Sequence, residues 1–208
     1  MRNVYFYKMT VDNGGAPCVT ESLLTLAICK PSIRRVAKKG SILFGFGANK
    51  PPMSNRLIYI AEITEEPLSK GSYYRSYQSR DDCIYHWRKD GSLTWKRGSK
   101  FHKNGSQTHV DIGGPPNYPK ATVLLSRNFR YFGEKGEADY GDFPSIQHAV
   151  KKLGRGHRVH HDPGLLSELL RLKSEMWRNF DAMKVGQPTM RDFSAPCNTG
   201  GAPQKVCR

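Results

Sequence analysis

The chain has 208 residues, of which 33 are lysine or arginine and 18 are aspartate or glutamate, so its formal net charge is +15. Such an excess favours polyanionic partners, of which nucleic acid is the commonest, although a basic protein without such a partner is the plain alternative. No apolar run approaches the roughly 20 residues that cross a bilayer, and the start of the chain lacks the apolar stretch of a signal peptide. We therefore expect a cytoplasmic protein that does not bind membranes.

The five cysteines are odd in number and unevenly spaced, at positions 18, 29, 83, 197 and 207. Their spacing predicts neither a disulfide framework nor a structural zinc site, because paired Cys-x-x-Cys spacing is missing. No motif indicates a particular cofactor, and we predict no metal site.

The first third of the chain is predicted to form strands around one short helix. Residues 31–39 begin with a proline and are followed by Gly40, which is typical of a helix and its C-terminal cap. Ile33, Val36 and Ala37 form its narrow apolar face, and the basic residues, among them Arg34, lie around that face. This basic helix leads into a strand pair that forms the predicted nucleus of the fold. The predicted strands in this part cover residues 4–10, 23–29, 41–47 and 56–64.

The rest of the chain mixes short strands, loops and two helices. Residues 67–79 are rich in tyrosine and contain Arg75, a combination that serves either for stacking on bases or for closing the rim of a core. The loop at 104–119, which carries His109 and Asp111, exceeds about 12 residues, a length typical of functional or disordered segments. Strands are predicted at 81–87, 121–126 and 128–133, with helices at 144–153 and from Asp162 to about residue 183.

Strands concentrated in the first two-thirds, with peripheral helices, predict an α+β fold. A small β-barrel is one economical way to close such a sheet without exposed edges. The C-terminal helix is amphipathic. If it packs on its own domain, its apolar side chains are buried; if they are exposed, a homodimer or another partner is expected.

Several separate segments resemble one known family. They are DNGGAPCV at 12–19, LAICKPSIRR at 26–35, KKGSILFGFG at 38–47, DDCIYHW at 81–87, VLLSRNFRYFG at 123–133 and GRGHR at 154–158. Together they resemble the second type of nucleotide-modification-associated domain, a family of bacteria and phages that is encoded near genes for altered DNA bases. Ser41 departs from the pattern, since the family tends to have Asp there. More distantly, the succession of KKG, strand, loop and strand from residue 38 onward is similar to the PUA-like barrels of ASCH and EVE domains, which bind RNA or modified bases.

We expect three parts of the chain. The resemblance implies that residues 1–160 form a small PUA-like mixed β-barrel. The apolar pattern predicts a C-terminal helix packed on it at 161–185, and a composition rich in Pro, Gly, Thr and Asn predicts a loose tail at 186–208.

The function implied by the resemblance is binding of nucleic acid or of a modified base or nucleotide, as an accessory of phage or bacterial DNA base modification or defence. Aromatic side chains would stack on the base, hydrogen-bond donors would fix its orientation, and cationic side chains would hold the phosphates. For each aromatic ring, packing in the core is the alternative. The residues expected to bind are Asn13, Lys30, Arg34, Arg35, Phe46, Tyr85, Arg155, His157 and Arg158.

An enzyme that modifies or hydrolyses a nucleotide is the second hypothesis. His86 or His102 would be the general base with Asp82 orienting it, or Cys29 would be a nucleophile activated by a histidine. The alternatives are a structural histidine and a cysteine that only packs in its apolar run. A third hypothesis is a protein-interaction module that uses the C-terminal helix.

Overall fold

The computed structural model describes residues 3–103, 105–136, 140–154, 156–190 and 192. These residues have the predicted α+β architecture. The strands are β1 (Val4–Met9), β2 (Cys18–Val19), β3 (Leu24–Leu26), β4 (Ile42–Gly47), β5 (Leu57–Glu62), β6 (Tyr85–Trp87), β7 (Leu93–Trp95), β8 (Leu124–Ser126), β9 (Asn128–Tyr131) and β10 (His157–Arg158). The helices are α1 (Pro31–Val36), α2 (Tyr73–Ser76), α3 (Thr108–Asp111), α4 (Pro144–Lys152) and α5 (Pro163–Asn179), with a 3-10 turn at Gly133–Lys135.

The main sheet has five strands in the order β10-β1-β4-β5-β9. β1 and β4 run parallel, with Tyr5 opposite Leu43, whereas the other neighbours are antiparallel. Every residue of β1 and β4 is buried, as expected for parallel strands that are covered on both faces. The predicted pair formed by segments 41–47 and 56–64 is confirmed by β4 and β5.

The described strands do not close into a barrel. A smaller sheet has the order β2-β3-β8, β6 pairs with β7, and β10 and β9 lie at opposite edges of the main sheet. The PUA-like barrel predicted from the sequence is therefore not formed by these residues. The physical reason is that helices cover one face of the main sheet, so that its apolar surface is buried by layering rather than by closure.

One face of the main sheet packs against α4 and α5. Phe6 and Phe44 of the sheet share an apolar cluster with Leu165 and Leu169 of α5. The Asp162 side chain caps α5 by accepting a hydrogen bond from the Leu165 amide at 2.9 Å, so the helix begins at the predicted place. It ends at Asn179, short of the predicted residue 183. None of the helices in the described part of the chain is long and apolar enough to span a membrane.

The other face of the sheet carries the larger apolar cluster. Tyr7 and Leu43 of the sheet pack there with Leu26 of β3, Tyr74 of α2 and Tyr85 of β6. Cys29, Phe101 and Ile112 belong to the same cluster. The chain that follows β3 and the loops that follow β7 therefore meet on this side of the sheet.

The segment after α5 returns to the main sheet. The Tyr131 amide donates to the Met183 carbonyl at 2.8 Å, and the Met190 amide donates to the Asp12 carbonyl at 2.9 Å. The Gly186 amide also donates to the Tyr131 carbonyl at 3.3 Å, so the start of the predicted tail, at 186–190, is bonded to β9 and to the turn after β1. Residues 191 and 193–208 lie outside the described residues.

Candidate active site

The turn between β3 and α1 presents Cys29. Cys29 and Lys30 have φ angles of 57° and 44°, a left-handed conformation that non-glycine residues adopt only when their surroundings hold them there. Two contacts do so: the Cys29 amide donates to Asp111 Oδ1 at 2.8 Å, and the Cys29 carbonyl accepts from Arg34 Nε at 2.6 Å. The position of Cys29 is therefore determined by side chains on two other segments.

Cys29, His102 and Asp111 form a chain of contacts through their side chains. His102 Nε2 lies 3.5 Å from Cys29 Sγ, and His102 Nδ1 lies 2.6 Å from Asp111 Oδ2. All three residues are buried. In a neutral imidazole whose Nδ1–H donates to a carboxylate, Nε2 carries the lone pair and can accept a proton. A cysteine sulfur, an imidazole and a carboxylate thus follow one another in the order used by nucleophilic catalysis.

The sulfur of Cys29 takes part in a disulfide bond. The spacing of the cysteines predicts no disulfide framework, because spacing along the chain does not reveal which sulfurs meet in space. The thiolate chemistry open to Cys29 therefore belongs to the reduced protein, after a thiol reductant has released this sulfur.

Tyr85 and Arg34 hold Asp111 in place. The Tyr85 hydroxyl donates to Asp111 Oδ2 at 2.8 Å, the same oxygen that His102 contacts. Burial, together with the negative charge of Asp111, raises the pKa of Tyr85, so that this hydroxyl keeps its proton and remains a donor. Arg34 Nη2 donates to the Asp111 carbonyl at 2.8 Å.

Arg34 belongs to the core rather than to a phosphate site. Its side chain is fully buried, and Nη1 donates to the Lys120 and Thr122 carbonyls at 2.8 and 2.6 Å. The Cys29 and Asp111 carbonyls also accept hydrogen bonds from Arg34, so its guanidinium donates to four backbone carbonyls in total. The predicted phosphate contact by Arg34 is replaced by a structural role, whereas its neighbour Arg35 is exposed.

Asp82 orients neither of the predicted histidines. It is fully buried and accepts hydrogen bonds from Thr25 Oγ1 and from the Tyr73 hydroxyl, the latter at 2.6 Å. Its ion-pair partner is Arg80, at 3.4 Å, and burial raises its pKa. His86 is exposed on β6.

The carboxylate at His102 is instead Asp111, nine residues further along the chain. In the sequence, the length of the loop at 104–119 is the signal that indicates a role for Asp111. Its pairing with His102 is not predictable, because the two residues share no helix face or strand register.

Lys30 and His157 lie together beside β1. Lys30 Nζ donates to the Lys8 carbonyl at 2.9 Å and lies 4.9 Å from the centre of the Tyr7 ring. Burial lowers the pKa of Lys30 to about 8. Burial and the charge of Lys30 also lower the pKa of His157. Arg158 is exposed, with Nη2 at 4.0 Å from an Asp162 carboxylate oxygen.

The predicted binding residues Asn13 and Phe46 are both buried. Asn13 is buried; its Nδ2 donates to the Asp192 carbonyl at 3.2 Å and its Oδ1 accepts from the Gly15 amide at 3.2 Å. Phe46 is fully buried, with its ring 5.0 Å from that of Phe6, so it packs the core and does not form a binding wall. Arg155 lies outside the described residues.

An open recess of about 570 Å³ lies between α2 and β6. Its lining includes Trp87 and two tyrosines that are almost completely buried, with exposed basic residues at the rim. The lining residues are Tyr74, Arg75, Gln78, Cys83, Tyr85, His86, Trp87 and Lys96. Among the described residues, no group of three or more histidine, cysteine or acidic side chains is arranged to hold a metal ion.

Comparison with known proteins places the chain in one family. Residues 1–195 match the family described as nucleotide modification associated domain 2. No curated protein and no solved structure matches the chain. Because the matched segment covers most of the 208 residues, the chain belongs to the nucleotide modification associated domain 2 family.

Proposed function

We propose that the reduced protein is an enzyme that acts on a modified nucleotide through Cys29. The observation that carries this proposal is the pair of contacts made by His102. Its Nε2 lies 3.5 Å from Cys29 Sγ, and its Nδ1 lies 2.6 Å from Asp111 Oδ2. Membership of the family supports a nucleotide as the substrate. A cytoplasmic location would supply the thiol reductants that this chemistry needs.

The proposed reaction is acyl transfer at a carbonyl group carried by a modified base, since cysteine–histidine–aspartate sites serve this reaction class. His102 Nε2 takes the proton of the Cys29 thiol, and the thiolate sulfur forms a bond with the carbonyl carbon. The bond from that carbon to an amine or alcohol then breaks, and the leaving group receives the proton from His102. Water, deprotonated by His102, hydrolyses the thioester and restores the thiol. Asp111 stabilises the imidazolium throughout.

Turnover of defined substrates tests this proposal. The reduced protein is incubated with deoxynucleotides whose bases carry acyl or carboxamide groups, and the products are measured by mass spectrometry. We expect Cys29→Ser to lower the rate by at least about 10³-fold, and Asp111→Asn to lower it by about 10²- to 10⁴-fold. Cys18→Ser, at a free cysteine that belongs neither to these contacts nor to the recess between α2 and β6, is the matched control and retains the rate. Turnover that survives Cys29→Ser would refute the proposal.

Binding without turnover is the second candidate, favoured by the rings and cations of the recess between α2 and β6. In that case the protein is a reader of nucleic acid or of a modified base, an accessory of phage or bacterial DNA base modification or defence. The two candidates differ in one observable. A reader whose cysteines are reduced binds the nucleotide and releases it unchanged, whereas the enzyme converts it to product. A homodimer stays a prediction, to be checked by light scattering.

A further inference from the structure

We infer that the recess between α2 and β6 binds an unpaired base of single-stranded nucleic acid. The inference rests on the proposed function for the class of ligand, and it extends that proposal by naming where the nucleic acid is held.

Trp87 supplies an oriented aromatic surface. Its Nε1 donates to the Gly71 carbonyl at 3.0 Å, and its ring meets the Tyr118 ring edge-on at 5.6 Å. A Cβ atom at Gly71 would come within 2.8 Å of the indole, so a glycine at this position lets the ring lie against the turn. The Arg75 guanidinium lies 4.7 Å from the ring centre. An indole and a guanidinium plane are the two kinds of surface on which single-stranded bases stack.

The charge of the recess suits a phosphate backbone. Arg75, His86 and Lys96 are exposed at its rim, and the eight described residues that line it include no acidic side chain. Its volume of about 570 Å³ falls within the range of roughly 300–1,000 Å³ that is usual for ligand sites. Bases within a duplex are stacked on one another, so a base must leave the stack before it can enter such a recess.

Tyr85 connects the recess with the candidate active site. Tyr85 is one of the residues that line the recess, although it is almost completely buried. Its hydroxyl donates to the same Asp111 oxygen that His102 contacts. One residue therefore connects the wall of the recess with the carboxylate that orients the proposed general base. We assign Tyr85 as a positioning residue, because it acts through Asp111.

Tryptophan fluorescence tests the inference directly. The variant with Trp95→Phe and Trp177→Phe retains Trp87 as its reporter, and it is titrated with a 12-residue oligothymidylate and, separately, a 12-residue oligouridylate. We expect quenching on binding, with an affinity equal to that of the wild type. Trp87→Ala should weaken binding by about 5- to 150-fold, the range for loss of one stacked base. The two oligonucleotides distinguish DNA from RNA.

Arg75→Glu keeps the test valid if Trp87→Ala fails to fold, because Arg75 is exposed and its replacement leaves the core intact. We expect a loss of binding of at least about tenfold at low salt, with the circular dichroism spectrum unchanged. Quenching that is absent, or binding that is unaffected by Arg75→Glu, would overturn the inference. All measurements are repeated with Cys29→Ser, which removes the proposed chemistry but not the recess, so failure of the recess and failure of the enzyme give different results.

Discussion

Asp111 concentrates the contacts of the candidate site in a single carboxylate. One oxygen accepts from the Cys29 amide and the other from Tyr85 and His102. A carboxylate with this many donors is strongly oriented, and it can in turn fix the tautomer of the histidine beside it. The reactivity of Cys29 should therefore depend on residues that never touch the sulfur.

Alkylation of cysteines tests this dependence. In the reduced protein at neutral pH, we expect iodoacetamide to modify Cys29 faster than Cys18 or Cys83, because burial raises the pKa of these two thiols to about 12 and about 11. His102→Gln should slow the modification of Cys29 by about 10- to 100-fold, since no base then accepts its proton. The measurement is peptide mass spectrometry over time. Equal rates in His102→Gln and wild type would contradict the proposed proton transfer.

Lys30 makes the stability depend on pH. Its pKa is about 8 in the folded protein, below the ordinary value of 10.5, so between these values the unfolded chain binds more protons. The free energy of unfolding therefore rises with pH in this window, and the cost of burying the charge is fully present below pH 8. Lys30→Met removes this cost.

We expect the stability of Lys30→Met relative to wild type to fall by roughly 1–3 kcal/mol between pH 7 and pH 10. Urea denaturation at a series of pH values gives this difference. Lys39→Met, at an exposed position, is the control and should follow the wild-type curve. A constant difference for Lys30→Met would show that this lysine is not buried as a charge.

The apolar pattern of helix α1 predicts where the helix begins, but not all of the side chains that it buries. Its start at Pro31 and its inward-facing Ile33 are as predicted. The same pattern places Val36 inward and Arg34 outward, whereas Val36 is 43 % exposed and Arg34 is fully buried. The reason is tertiary: four carbonyl groups around α1 need a donor, and a guanidinium supplies five N–H groups.

Replacement of Arg34 should therefore destabilise the fold. Arg34→Met leaves the Cys29, Asp111, Lys120 and Thr122 carbonyls without this donor, and we expect the free energy of unfolding to fall by about 3–5 kcal/mol. Arg35→Met, on the next residue of the same helix and exposed, should change it by less than about 0.5 kcal/mol. Urea midpoints measure both. Similar midpoints for the two variants would contradict the role assigned to Arg34.

Strands β1, β4, β5 and β9 of the main sheet are readable from the sequence, whereas β10 and the site are not. β4 and β5 are continuous apolar runs flanked by turn residues, a pattern that depends on local order alone. Cys29, His102 and Asp111 come from three segments, and their approach depends on how β3, α3 and the loop before it pack. Residue type named Cys29 and His102 as candidates, but only the fold pairs them with Asp111 instead of Asp82.

At the scale of the whole molecule, the net charge of +15 gives a measurable salt dependence. Binding of a single strand releases counterions, and the logarithm of the affinity falls with the logarithm of salt concentration by about 0.7 per phosphate contact. We expect Arg75→Ala and Lys96→Ala each to reduce this slope by about that amount. Arg171→Ala, on α5 across the sheet, is the control and leaves it unchanged. A slope near zero for the wild type would exclude a phosphate backbone as the ligand.

The packing of α5 on the main sheet restricts how this protein can be divided. Leu165, Leu169 and Leu172 lie in one apolar cluster with the phenylalanines of β1 and β4. A fragment that ends at residue 160 would leave those rings in water, and we expect it to precipitate. A shortened gene that keeps every residue of the candidate site would thus encode an insoluble product, so the proposed activity would require α5 as well as Cys29.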